Sequence, residues 1–292
     1  MDKKVYIKTY GLLYLCIVAI VFAVALFLWK IFRFNLLIVT GIILLAAIPL
    51  SFVMLKILLA NEKNKPLGKL YSEFRKEYFT NGYTEKYFEL FDKAVTAYKN
   101  GKKIDLVYLK DFVLFTVDYY NATEQYDKAL ELIMLLDEEQ LTKKSMIFID
   151  YGMSAIAYYG CLMETYRGLR DREKAINMME RAKPVLDMDL KHEVLKMASD
   201  AVYYNYYMLI ENYERAREFA DKLMSYSSPE ADRFFTRYYI EAEYLLHLGK
   251  PNEADGELKK MEAIIEGDLK PLLSFFYTRY RMRLGLDEKN DQ

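Results

Sequence analysis

The chain has 292 residues, of which 53% are hydrophobic, and it carries 41 Lys or Arg against 42 Asp or Glu. Residues 1–60 hold six of the basic residues and one of the acids, so residues 61–292 carry a formal charge of −6. That charge argues against a protein that binds nucleic acid through a basic face. Two cysteines, Cys16 and Cys161, provide no disulfide framework.

Two uncharged apolar segments come first, over about 9–29 and 34–55. Each has about the 20 residues that a helix needs to cross the hydrocarbon core, and four residues separate them. Since backbone groups in lipid must bond within their own segment, residues 1–60 are predicted to form a transmembrane helical hairpin. A cleaved secretory signal is the alternative for the first segment, but the apolar run continues to Trp29 and leads into a second span.

The basic residues around the hairpin predict its orientation. Seven lie in the outer flanks, from Lys3 to Lys69, and two, Lys30 and Arg33, lie in the turn. We therefore expect both termini and the rest of the chain in the cytoplasm, with the hairpin in a lipid bilayer, most simply a bacterial cell membrane. Residues 61–66 are predicted to be a polar linker.

Residues 67–292 are predicted to form an all-α domain. Turn chemistry separates the helices at sites such as Asn81-Gly82 and Asn100-Gly101, and no segment alternates long enough to indicate a strand. The predicted helices run over 67–80, 84–99, 103–121, 125–138, 143–168, 171–185, 189–210, 213–227, 230–248, 251–266 and 270–284.

A fixed spacing recurs along this domain. Four alanines, each near the start of a predicted helix, follow a large residue by nine positions. The pairs are Tyr120 and Ala129, Tyr166 and Ala175, Tyr207 and Ala216, and Leu245 and Ala254. A large side chain on one helix can pack where a small one lets the next helix approach. The recurrence predicts stacked helical hairpins, with 67–99 as a degenerate first hairpin and the helix after Pro271 as a terminal cap.

These hairpins resemble tetratricopeptide (TPR) repeats. The best unit reads Tyr159-x2-Leu162-Met163-x2-Tyr166, followed by Ala175, Met179 and Pro184. The small position is less regular elsewhere, and the alanines are 46, 41 and 38 residues apart, against about 34 in the family. The resemblance implies an α-α superhelical solenoid that binds proteins; the longer spacing leaves a HEAT-like superhelix open.

Sequence motifs for chemistry are weak. His192 and His247 lack Cys or His partners at metal-site spacing, and phosphate loops or nucleophile elbows are not found. The acids Asp137, Glu138 and Glu139 fit a solvated cluster beside a turn. We expect neither enzymatic activity nor a cofactor or metal.

The family resemblance also implies a groove, lined by the first helix of each pair. The 27 tyrosines can be explained as packing between helices or, for some, as groove lining. An excess of acids there favours a peptide of basic character. The groove residues implied by the register are Asp118, Asn121, Glu164, Arg167, Asn205, Tyr239 and Glu243.

The function expected is a membrane-anchored scaffold that binds a protein or peptide at the cytoplasmic face. The alternative is an accessory subunit of a membrane transport or secretion assembly, in which the hairpin packs on other spans. Gly41, Ala46 and Ala47 in the second span allow close packing, either on other spans or only on the first span of the hairpin.

Overall fold

The computed structural model describes residues 67–101, 104, 106–144, 152–232, 234–265 and 270–286. The predicted hairpin over 1–60 and the linker over 61–66 lie outside these ranges. Within them the regular structure is entirely helical, so the all-α prediction is confirmed for this part of the chain. None of the helices described is long and apolar enough to cross a membrane.

Residues 70–292 form one compact unit. In chain order the described helices are α1 (67–81), α2 (Glu85–Lys99), α3 (Leu106–Ala122), α4 (Tyr126–Ile133), α5 (Glu138–Thr142), α6 (Met153–Leu169), α7 (Arg172–Leu186), α8 (Glu193–Leu209), α9 (Tyr213–Ser225), α10 (Pro229–Asp232), α11 (Thr236–His247), α12 (Pro251–Lys259, continued as a 3-10 helix over Lys260–Ile264) and α13 (Lys270–Arg283).

Four successive pairs, α3/α4, α6/α7, α8/α9 and α11/α12, repeat one arrangement. The two helices of each pair pack against each other, and the first helices also contact in sequence, α3 with α6, α6 with α8 and α8 with α11. The alanine of each predicted pair is fully buried: Ala129, Ala175, Ala216 and Ala254. The predicted spacing therefore marks the packing of real helical pairs.

The turn inside each pair is also the same. The backbone N–H of the residue that precedes the second helix donates to the carbonyl of the large residue five positions earlier, at 2.8 to 3.0 Å. The residue before this donor has a left-handed backbone, which closes the end of the first helix. These left-handed residues are Glu124 (φ 59°), Arg170 (φ 55°), Glu211 (φ 62°) and Gly249 (φ 72°).

In the unit that most resembles a TPR repeat, most of the residues that carry the resemblance are buried. Tyr159, Leu162, Met163 and Met179 are buried, whereas Pro184 is exposed in the last turn of α7. The described residues between 106 and 259 thus have a repeat-like organisation of helices.

Three of the predicted helices are interrupted in the structure. The helix expected over 125–138 ends at Ile133, because Asp137 accepts a bond from the Gln140 N–H and so caps a separate helix. The helix expected over 143–168 is interrupted at Gly152, whose φ of 80° is a left-handed angle, and α6 begins at Met153; residues 145–151 lie outside the described ranges.

The third error concerns the helix expected over 230–248, which is divided. The N–H of Phe234 donates to Ala231, and that of Arg237 donates to Phe234, each a bond of the i to i−3 kind. These tight turns separate α10 from α11 and leave Phe235 immediately before α11.

An aromatic cluster forms the start of the compact unit. Phe74 and Tyr78 of α1 pack against Tyr87 of α2, at ring-centroid distances of 4.8 and 5.9 Å. On α3, Phe112 lies 4.4 Å from Phe74, and Phe115 stacks on Tyr78 at 4.3 Å. The predicted first hairpin is therefore joined to α3 through rings.

Candidate partner-binding surface

The seven predicted groove residues lie on α3, α6, α8 and α11, the four first helices that contact one another in order. Four of them, Arg167, Asn205, Tyr239 and Glu243, form one network. Arg167 Nη1 lies 2.8 Å from Glu243 Oε2 and donates to Asn205 Oδ1 at 2.6 Å. Tyr239 Oη donates to Glu243 Oε1 at 3.0 Å. Their role in binding a partner stays a prediction, because here they bind one another.

Glu243 carries a charge in a mostly buried position. Its side chain is 17% exposed and that of Arg167 is 15% exposed. Burial works against ionisation of Glu243, but the charge and hydrogen bond of Arg167 outweigh it, so the pKa of the carboxyl lies below its ordinary value. Tyr204, which was not among the predicted residues, donates to Glu243 Oε2 at 3.1 Å and lies under the Arg167 guanidinium. The network joins α6, α8 and α11.

Asn121 holds α3 against α6. It is fully buried, donates from Nδ2 to the Cys161 carbonyl at 3.0 Å, and accepts from Thr165 Oγ1 at 2.9 Å. Because no part of the side chain reaches the surface, Asn121 stabilises the helix pair from inside.

Asp118 lies one turn before Asn121 and also contacts α6. The Cys161 thiol donates to Asp118 Oδ1 at 3.1 Å. Burial raises the pKa of Asp118 to about 7; the thiol hydrogen bond opposes this rise, and the nearby charge of Glu164 adds to it. The carboxyl can therefore change its charge near neutral pH.

Glu164 of α6 contacts α13, the helix that the sequence analysis expected to cap the end of the array. Arg283, at the end of α13, donates from Nη1 to Glu164 Oε1 at 2.7 Å. The Arg283 guanidinium also lies over the ring of Tyr239 at 5.5 Å, and Tyr280 stacks on that ring at 4.3 Å. The expectation that α13 is only a terminal cap does not describe these contacts.

The contacts of α13 extend to the beginning of the compact unit. Phe275 stacks on Tyr119 of α3 at 5.5 Å and approaches Tyr83 at 4.8 Å, and Phe276 lies 5.3 Å from Phe235. We call the residues that α13 contacts through its rings and through Arg283 the inner surface. They are Tyr83, Tyr119, Glu164, Phe235 and Tyr239.

A small cavity of about 110 Å³ lies beneath α13. Asp118 and Glu164 line one part of it, and Phe235, Phe276 and Tyr280 line another. Two carboxyl groups and three rings thus face a space between the first helices and α13. Within the described ranges no cluster of His, Cys, Asp and Glu has the arrangement of a metal site.

Comparison with known proteins gives no match to this chain among family models, curated proteins or solved structures.

Sequence reasoning predicted the helix α13 but missed its contacts with the predicted groove residues, and it missed those of Tyr204 and Cys161. The charge of α13 was a usable signal: its last turns contain Arg279, Arg281 and Arg283, in a domain that is acidic as a whole. The sequence did not indicate which acid these arginines would bind, because Glu164 lies 119 residues before Arg283.

Proposed function

We propose that this protein is a membrane-tethered scaffold whose TPR-like solenoid binds a protein partner at the cytoplasmic face. The observation that carries the proposal is the repeated helical pair. One turn geometry and one buried alanine recur four times, and this regularity is typical of arrays that bind through a surface made of successive first helices.

The chemistry of that surface supports a protein ligand. Its first helices carry aromatic rings and carboxylates: Tyr239 donates to Glu243, and its ring lies under the Arg283 guanidinium that binds Glu164. Rings supply apolar contact area, and carboxylates select basic groups. The tether is the predicted hairpin over residues 1–60, and the seven basic residues of its flanks support a cytoplasmic domain.

A pull-down from detergent extracts tests the scaffold against the alternative of an assembly subunit. Full-length protein and residues 61–292 are compared, with the same tag after Gln292. Partners retained by residues 61–292 support the scaffold. Partners that are lost with the hairpin favour the assembly subunit and contradict the proposal.

The tether is tested by labelling intact cells. A cysteine introduced beside Lys30 should react with an impermeant reagent added outside, whereas one placed after Gln292 should not. Labelling at the C-terminal site would overturn the proposed orientation.

A further inference from the structure

The inward face of α13 complements the inner surface in shape and charge. Leu272, Phe276, Tyr280 and Arg283 follow at spacings of four, four and three residues, so they form one stripe along the helix. Leu272, Phe276 and Tyr280 are buried. The helix Lys270–Arg283 contains no acidic residue. A basic, aromatic helix therefore fills an aromatic surface that carries a carboxylate.

The position of the arginine shows which kind of surface α13 fits. Arg283 continues the buried stripe, its side chain is 12% exposed, and its partner is Glu164. A helix built for a lipid surface keeps its basic residues on the face opposite the apolar one. An arginine within the apolar stripe instead matches a carboxylate set among rings, which a protein surface provides.

The opposite side of α13 is held by different groups. Arg281 Nη1 donates to Asp255 Oδ1 at 2.6 Å, and Tyr277 Oη donates to Glu262 Oε1 at 2.7 Å. Both acceptors belong to α12 and its 3-10 extension, the elements just before α13 in the chain. The contacts with the inner surface thus come from Phe275 and from Phe276, Tyr280 and Arg283 of the stripe, and a separate helix with these four residues could make all of them.

We propose that the inner surface is a docking site for a helix of a partner protein, and that α13 occupies the site until this helix displaces it. The contacting residues Phe275, Phe276, Tyr280 and Arg283 define the chemistry of the partner helix: two adjacent aromatic residues, a third aromatic four positions after the second, and an arginine three positions further on. This inference rests on the proposed function and adds to it the class of partner and a means of regulation.

The experiment uses the full-length chain in detergent and a fluorescent peptide of residues 270–286 as the probe. In the wild-type chain α13 competes for the site. In a chain with Phe276→Ala and Arg283→Ala, α13 is weakened while every residue of the inner surface is kept. We expect the peptide to bind this variant at least ~10-fold more tightly than wild type, because a larger fraction of its sites is open.

A charge exchange provides the matched control. Adding Glu164→Arg to the α13-weakened chain should abolish binding of the wild-type peptide. A peptide in which Arg283 is replaced by Glu should then bind this chain and should not bind the chain that retains Glu164. Peptide binding that is indifferent to these exchanges would overturn the assignment of the site.

Hydrogen exchange on the wild-type chain keeps the inference testable if the variant does not fold. The amides of α13 should exchange through a local opening, faster than those of α6. Exchange of α13 only together with α6 would overturn the inference, because α13 would then be a fixed part of the fold. A wild-type dimer formed through exchanged α13 helices, detected by light scattering and crosslinking, would also overturn it, since the occupant would be a second copy.

The two proposals fail in different ways. Loss of peptide binding, with partner capture by residues 61–292 intact, would remove the docking role of α13 and leave the scaffold. If residues 61–292 capture no partner while peptide binding still follows the charge exchange, the proposed function would be wrong. The inner surface would then be a site that α13 covers but that no partner is shown to use.

Discussion

Removing the guanidinium of Arg167 should destabilise the compact unit strongly. Arg167→Met keeps the apolar stem of the side chain but leaves the Glu243 carboxylate, 17% exposed, with only two tyrosine hydroxyl donors. It also removes the donor to Asn205 Oδ1. Breaking a buried ion pair from one side costs ~3–5 kcal/mol. Because Tyr204 and Tyr239 still donate, we expect a loss of about 3 kcal/mol in the free energy of unfolding.

The assay is urea unfolding of residues 61–292, followed by far-ultraviolet circular dichroism. A double-mutant cycle with Glu243→Gln separates the pair from its surroundings, and the coupling should exceed ~1 kcal/mol. Because the pKa of Glu243 is lowered in the folded state, the contribution of the pair is present at neutral pH and is lost as the carboxyl protonates. The difference between wild type and Arg167→Met should therefore shrink as the pH falls below about 4.

Arg215→Met is the matched control. Arg215 Nη1 lies 2.6 Å from Glu218 Oε2, a similar distance, but both side chains are more than half exposed. Solvent screens this exposed pair, so its loss should change the free energy of unfolding far less than the loss of the Arg167–Glu243 pair. A cost for Arg167→Met no larger than that of Arg215→Met would refute the reasoning, since it would show that solvent screens the Arg167–Glu243 pair.

Further predictions concern the repeat and the half-buried Asp118. Ala175→Leu should overpack a fully buried helix contact and lower the free energy of unfolding by ~1–3 kcal/mol; an unchanged urea midpoint would contradict the register of the pairs. Gly249→Ala should cost about 1 kcal/mol through its left-handed backbone alone, since an added Cβ meets no atom, whereas Gly256→Ala within α12 should stabilise by a similar amount; equal effects of the two would refute this. Because the pKa of Asp118 is raised to about 7, the folded chain holds a proton that the unfolded chain loses, so its stability should fall by up to about 4 kcal/mol between pH 4 and 7. Asp118→Asn should remove this fall and the exposed Asp127→Asn should not, as measured by unfolding at each pH.

Local patterns made much of the helical architecture predictable. The nine-residue spacing depends on two helices that are adjacent in sequence and joined by one short turn, so its signal lies within a few residues. The signal of Asp137 as a helix cap was also local, since an acid stands there before Glu138 and Gln140. The helix bound at Ile133 was missed because the apolar period continues through Leu135 and Leu136 into that cap.

The contacts of the candidate site could not be predicted in the same way. Helical register placed Asn121 and Glu243 on the first helices, but it does not determine whether a polar side chain meets solvent or a carbonyl on the next helix. Asn121 bonds to Cys161, 40 residues away, and Arg283 bonds to Glu164, 119 residues away. Such pairs depend on how far each repeat rotates the next one, which is set by packing along the whole array.

Site-specific photo-crosslinking in cells asks whether the inner surface binds a helix of a second protein. A photoreactive residue replaces Tyr119, on the inner surface, and a matched one replaces Glu173, which is exposed on α7. We expect a crosslink from position 119 to a basic, aromatic helix of a second protein, and no such product from position 173. Crosslinks from position 119 to α13 alone, or the same partners from both positions, would contradict this expectation.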